Sequence, residues 1–267
     1  MPVILAGPPP EAGRGLAARA LRGLVPALHS VVPRTAQEAR AFAALGVPSP
    51  RIAEPGALRE SGAPPAEPDE ALRVPLANAL SGRPVWFAAA VPPSEAATVI
   101  GAHEEVLRRA HRAVLILQTE ANLPRLLRGL RELEEGPRAE TRVLLCAPGE
   151  HTELGHRLAP VSFIGGSFTI GAQASPGPAA ALGSAIAHGP RLGAHEAMLR
   201  DLGARGAAAE IDAPGRLGAV IEQLLAPDRA AALAGAAWSA VTEGAETTNR
   251  LAQLVIDALD GLPPGAG

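Results

Sequence analysis

Short, almost wholly apolar runs, each followed by a stretch of helical periodicity, restrict the fold of this chain more than any other feature. Pro84 to Ala89 reads "PVWFAA", Arg112 to Gln118 "RAVLILQ", Thr141 to Pro148 "TRVLLCAP", Pro160 to Gly166 "PVSFIGG" and Ser184 to Pro190 "SAIAHGP". A run with no polar alternation suits a strand buried on both faces, as in a parallel sheet covered by helices. The alternation therefore predicts an α/β fold with a Rossmann-like, mainly parallel sheet. Between the runs, Ser94 is placed to cap a long helix ending near Arg109, and "LPRLLRGLRELEE" from Leu123 to Glu135 reads as the next helix. A helical turn is expected from Glu153 to Leu158 and a small-residue helix near Pro178. "HEAMLRDLGARG" adds a helix, "AAAEID" from Ala207 to Asp212 a further strand, and three helical stretches close the chain.

Upstream, Pro2 to Ala6 and "LHSVVPRT" read as strands, with a helix from about Leu16 to Leu24 between them. Thr35 is an N-cap for "AQEARAFAAL", a helix closed by Gly46 and Pro48, and "SPRIAEPG" is a third short strand candidate. The Pro-rich, charged "ESGAPPAEPDE" that follows is the best linker in the chain. Residues 1–65 and 66–267 are expected to form separate domains.

Composition narrows the chemistry. Hydrophobic residues make up 47% of the 267 positions but aromatics only 2%, so the core is to be packed from Ala, Leu and Val, and no aromatic platform exists for single-stranded nucleic acid. With a net charge of −3 and scattered arginines, nucleic acid is not an expected partner. All 24 basic residues are Arg, which excludes a Schiff-base lysine and a P-loop lysine. The single cysteine, Cys146, ends an apolar run and reads as a buried small hydrophobe. His151 and His156, or His103 and His111, lack the spacing of paired helical metal ligands, so no metal is expected. His188, at a strand end, reads as a hydrogen-bonded structural histidine before an acid or base. Gly13-Arg14-Gly15 with Ala18 fits a relaxed dinucleotide fingerprint, but the long Pro-rich approach favours a plain helix start over a nicotinamide enzyme. No apolar stretch suits a transmembrane segment or signal peptide, which leads to a cytoplasmic expectation. An unpaired edge at "PVILA" makes a protein partner or homo-oligomer an expectation.

"FIGGSFTIGAQASPGPAAALGSAIAHGP", Phe163 to Pro190, combines paired glycines at a strand end with a polar loop and a helix start, the arrangement that attracts phosphate or ribose at the carboxyl edge of a parallel sheet. Together with "RPVWFAAAVPPSEAATVIGAH", "VLIL" and "HTELGHRLAPVSFIGGSF", it resembles the C-terminal half of the 3-deoxy-D-manno-octulosonic acid (Kdo) transferases. "PVILAGPPPEAGRGLAARALRGLVPALHSVVPRTAQEARAFAALGVPSPRI" resembles the end of that family's acceptor domain. The resemblance implies a GT-B fold: residues 66–267 would be the nucleotide-sugar donor domain and 1–65 a remnant of the acceptor domain. It implies transfer of Kdo from CMP-Kdo to a lipid A precursor in lipopolysaccharide biosynthesis, with a nucleotide sugar and a lipid acceptor as partners and no cofactor. The chain would then be peripheral at the cytoplasmic face of the inner membrane.

The family's strand-end "Ala-Ser-Thr-His-Glu-Gly-Glu" falls on Ala89 to Glu95 and keeps only its first and last positions. "Pro-Arg-His" falls on Gln118-Thr119-Glu120, "Gly-Glu-Leu" on Thr152-Glu153-Leu154, and "Phe-Ile-Gly-Gly-Ser" is intact at Phe163 to Ser167. The ribose-binding "Gly-Gly-His-Asn-Pro-x-Glu-Pro" falls on Gly171 to Pro178, with His, Asn and Glu replaced by Gln173, Ala174 and Gly177. The substrate-binding residues implied are Gly165, Gly166, Ser167, Gly171, Gln173, Pro178, Glu153 and Glu95, with the leaving phosphate at the helix near Pro178. The acceptor-domain general base has no counterpart, so no catalytic residue is named. The alternative is a shortened, catalytically inactive paralogue serving as a binding or scaffold subunit.

Overall fold

The computed structural model describes residues 2–9, 23–56, 67, 69–121, 123 and 129–260. The candidate fingerprint from Gly13 to Ala18 and most of the Leu16 to Leu24 helix lie outside the described residues, as does much of the linker. The chain divides into two compact units, one of residues 1–61 and 242–267, the other of residues 62–241.

In the first unit, β1 (Ile4–Ala6) pairs in parallel with β2 (Ser30–Val32). Thr35 caps α1 (Ala36–Ala44) as expected: its side chain accepts from the Glu38 amide at 3.2 Å, and the Glu38 carboxylate accepts the Arg34 amide at 2.8 Å. Val25, Val31, Phe42 and Val47 form its small core. The third strand candidate is a 3₁₀ turn, Ser49–Arg51, followed by one parallel bridge from Ile52 to Val31. Pro48 and Pro50 hold the backbone in a turn there and withhold two ladder donors.

The second unit holds a seven-stranded sheet in the order β5-β6-β4-β3-β7-β8-β9, with every pairing parallel. Its strands are β3 (Val85–Val91), β4 (Val114–Thr119), β5 (Leu130–Glu132), β6 (Val143–Cys146), β7 (Val161–Ile164), β8 (Ala185–His188) and β9 (Ala208–Glu210). The helices are α2 (Glu70–Leu80), α3 (Pro93–Arg109), α4 (Thr152–Leu158), α5 (Gly177–Ala181), α6 (Glu196–Ala204) and α7 (Leu217–Leu224). A further helix, α8 (Pro227–Asp260), crosses the division between the units. Alternate residues of β3 explain why its run is apolar throughout. Trp86 and Ala88 join Val99, Val106 and Ile221 on one face, while Val85 and Phe87 join Leu76, Leu80 and Leu154 on the other.

Three further sequence expectations are corrected. Leu130–Glu132 is a strand, where a helix was expected over Leu123 to Glu135. Gly129 turns the chain at φ +77°, and the short strand that follows lies at the sheet edge, half-buried to exposed, where it needs no apolar run. The cap of α3 is Pro92 rather than Ser94, because Pro93 fits the first helical position without forfeiting a bonded N–H. The three closing helical stretches are α7 and the single 34-residue α8, whose alanine-rich sequence carries Gly235 and Gly244 through without a break. Among the described residues no helix is long and apolar enough to cross a membrane.

Candidate functional site

In a parallel sheet the crevice opens where successive connections leave in opposite directions. Here that point lies between β3 and β7, since β4, β6 and β5 continue to one side and β8 and β9 to the other. The carboxyl end of β3 is also irregular. Its pairing with β4 shifts between Ala88 and Val91, and Ala90 takes a left-handed φ of +48°, a conformation costing an alanine about 1 kcal/mol. The displaced Ala90 N–H donates to Gln118 Oε1 at 2.9 Å. The bulge borders an open cavity of about 580 Å³.

Ala90, Val91, Pro92 and Pro93 from the β3–α3 turn form one wall of this cavity. Gln118 and Glu120 lie at the end of β4, Pro148, Gly149 and Thr152 precede or begin α4, and Gln173, Ala174 and Ser175 close it from the loop after β7. Gln118 is buried and fully engaged: besides accepting from Ala90, its Nε2 donates to Glu150 O at 2.8 Å and Thr152 Oγ1 at 2.9 Å. It therefore ties β3, β4 and the start of α4 together. Glu120 is exposed, and among the described residues it is the one charged side chain lining the cavity. Pro92 and Pro93 have no N–H to aim at an anion from the start of α3.

The predicted glycine loop is held differently from expectation. Glu95, in the first turn of α3 and buried, accepts from Gly166 N at 2.8 Å and from Phe168 N, Thr169 N and Thr169 Oγ1 at 2.9 Å each. The carboxylate thus takes the amides that the sequence offered to a phosphate. Ser167 is buried too. Its hydroxyl donates to Ile164 O at 2.6 Å and accepts from Gly189 N at 2.7 Å, joining the ends of β7 and β8. Gly165 lies so close to the end of β3 that a Cβ would sit 2.6 Å from Ala90 O and Val91 Cα, and Gly166 turns at φ +80°. Gly171 N donates back to Gly166 O at 2.9 Å.

Of the eight residues implied as substrate-binding, Gln173 alone lines the cavity among the described residues, and its Nε2 donates to Gly171 O at 2.7 Å. Gly165, Gly166, Ser167, Gly171 and Glu95 shape the loop behind it. Glu153 sits half-buried in the first turn of α4. Pro178 is in the first turn of α5, a helix of only five residues whose Gly177 N–H donates to Ser175 Oγ at 3.2 Å. Pro178 itself carries no N–H, so this helix start has little to offer a leaving phosphate. Sequence reasoning missed Gln118, Thr152 and Ser175 as cavity residues and placed Glu120 only as the counterpart of the histidine in the family's Pro-Arg-His. The signal available was position, immediately after the second strand of a parallel unit.

The remaining candidates are structural. Cys146 is buried, and burial, with Glu150 and Glu132 adding negative charge, pushes its thiol up to about 12. His188 donates from Nδ1 to Gly189 O at 2.7 Å. Among the described residues no group of three or more His, Cys, Asp or Glu is placed to hold a metal ion.

No protein-family model matches the sequence, and no curated relative does. Among solved structures, the chain is similar to the C-terminal CMP-Kdo binding domain of WaaA from Acinetobacter baumannii. The match has 19% identity and a TM-score of 0.55, and covers 64% of this chain and 98% of that domain. Looser likenesses are WaaG, a glycosyltransferase involved in lipopolysaccharide biosynthesis (13% identity, TM-score 0.46, 85% of this chain and 64% of that one), and Anabaena HepE in complex with UDP-glucose (11%, 0.42, 94% and 72%). The WaaA domain match and the all-parallel sheet make the fold α/β, Rossmann-like and of the GT-B type.

Proposed function

We propose that this chain is a glycosyltransferase of the GT-B type, with the cavity at the ends of β3, β4 and β7 as its nucleotide-sugar site. The finer reading is a Kdo transferase-like activity, moving Kdo from CMP-Kdo to a lipid A precursor at the cytoplasmic face of the inner membrane. The observation that supports it is the position of the cavity at the switch point of a sheet whose fold is similar to that of the CMP-Kdo binding domain of WaaA. Residues 66–267 would then serve as donor domain and residues 1–65 as the end of an acceptor domain. Gln173 would contact donor, while Gly165, Gly166, Ser167, Gly171, Pro178, Glu153 and Glu95 hold the loop and helix starts around it. Calorimetric titration with CMP and CMP-Kdo tests the reading. Saturable heat below about millimolar ligand is expected, and no heat with no thermal shift would sink it.

A second reading is favoured by one specific observation, the absence of Arg or His from the cavity lining among the described residues. In this reading the protein is a catalytically silent binding or scaffold subunit that works beside a complete transferase or as a homo-oligomer. Transfer of labelled Kdo to a lipid A precursor by the purified protein would eliminate it.

A further inference from the structure

We propose that Glu120 is the recognition residue of the cavity, which takes the uncharged vicinal diol of a ribonucleoside in preference to its phosphate. The proposal rests on the reading of the cavity as a nucleotide site and names the part of the nucleotide that is gripped. Glu120 follows β4, the second strand of the parallel unit, and lies on the wall of a cavity that opens at the end of the first. An acid at that place in a Rossmann-like sheet is positioned to accept from ribose hydroxyls. Its two oxygens provide several lone-pair sites, enough for both hydroxyls of a diol. Among the described residues the Glu120 carboxylate makes no hydrogen bond or ion pair, so its acceptor capacity faces the cavity unspent.

The same wall is unsuited to phosphate. Pro92 and Pro93 supply no N–H, the loop amides of Gly166, Phe168 and Thr169 already donate to Glu95, and the described lining holds no cation. A phosphate there would meet the Glu120 charge with nothing to offset it. The Thr152 and Ser175 hydroxyls each accept one internal hydrogen bond and keep a proton to donate to an uncharged oxygen of a base or sugar.

The test measures affinities of the full chain for cytidine, uridine, adenosine and guanosine, for their 5′-monophosphates, and for the 2′-deoxynucleosides. At least one ribonucleoside is expected to bind as tightly as its monophosphate or more so, and at least tenfold more tightly than its 2′-deoxy form. Glu120→Gln, at an exposed position, should weaken that ribonucleoside about tenfold and its monophosphate less. A monophosphate bound more tightly than its nucleoside overturns the proposal and leaves the nucleotide site standing. So does indifference to the 2′-hydroxyl or to Glu120→Gln. A bound nucleoside whose monophosphate is rejected supports the proposal and removes the donor-site reading, whereas no binding by any probe overturns both.

Discussion

Two buried histidines have protonation states that their neighbours dictate. His103 accepts the Trp86 indole N–H at Nδ1 (3.0 Å), so its Nε2 must carry the proton donated to Arg142 O at 2.9 Å. In the second case Ser184 donates to Ala159 O, which leaves its oxygen to accept from Ser162, which in turn accepts from His156 Nδ1–H. Among the described residues the His156 Nε2 lone pair then has no hydrogen-bond partner, and the Phe87 and His156 rings meet edge-on at 5.0 Å between centroids. Burial lowers His103 from 6.5 to about 4, with the Arg142 carbonyl bond pulling the other way, and lowers His156 to about 3. Both folded values lie below the unfolded one, so the unfolded chain binds more protons in acid and stability falls as pH drops below about 6.5. Each histidine should remove roughly 2 kcal/mol between pH 7.5 and pH 5. Urea midpoints at the two pH values measure this, and an unchanged midpoint would contradict the proton assignments.

At the scale of elements, the loop between β7 and α5 depends on one side chain from α3. Glu95→Ala would leave the Gly166, Phe168 and Thr169 amides without their carboxylate, at a cost of about 3 kcal/mol. Urea denaturation should register that loss, together with weaker ligand binding as the cavity wall loosens. This dependence explains what the sequence left hidden. The glycines of "FIGGSF" mark a tight turn at a strand end and do form one, but Glu95 precedes Gly166 by 71 residues, a separation at which local pattern is silent. The same holds for Ala90, whose left-handed turn is supported by Gln118 on the neighbouring strand. Apolar runs announced β3, β4, β6, β7 and β8 because burial on both faces leaves no room for polar alternation. Leu130–Glu132, half-exposed at the margin, had no such constraint, and its leucine–arginine spacing imitates a helix.

Across the whole molecule, all seven strands of the large sheet and the apolar clusters on its two faces fall within residues 62–241. A fragment of those residues is expected to fold alone, with an α/β circular dichroism spectrum and a single cooperative melt. A broad, non-cooperative melt would show that the division does not correspond to an independent folding unit.

The margins of that sheet also bear on assembly. β5 and β9 are three residues long, and they place Arg131, Glu132 and Glu210 at the places where an incoming strand would have to dock. So short and charged a border offers an incoming strand few ladder hydrogen bonds, which protects against edge-to-edge aggregation. Self-association of this unit through its strand edges is therefore disfavoured, and its sheet is a finished one that resists templating by a second copy.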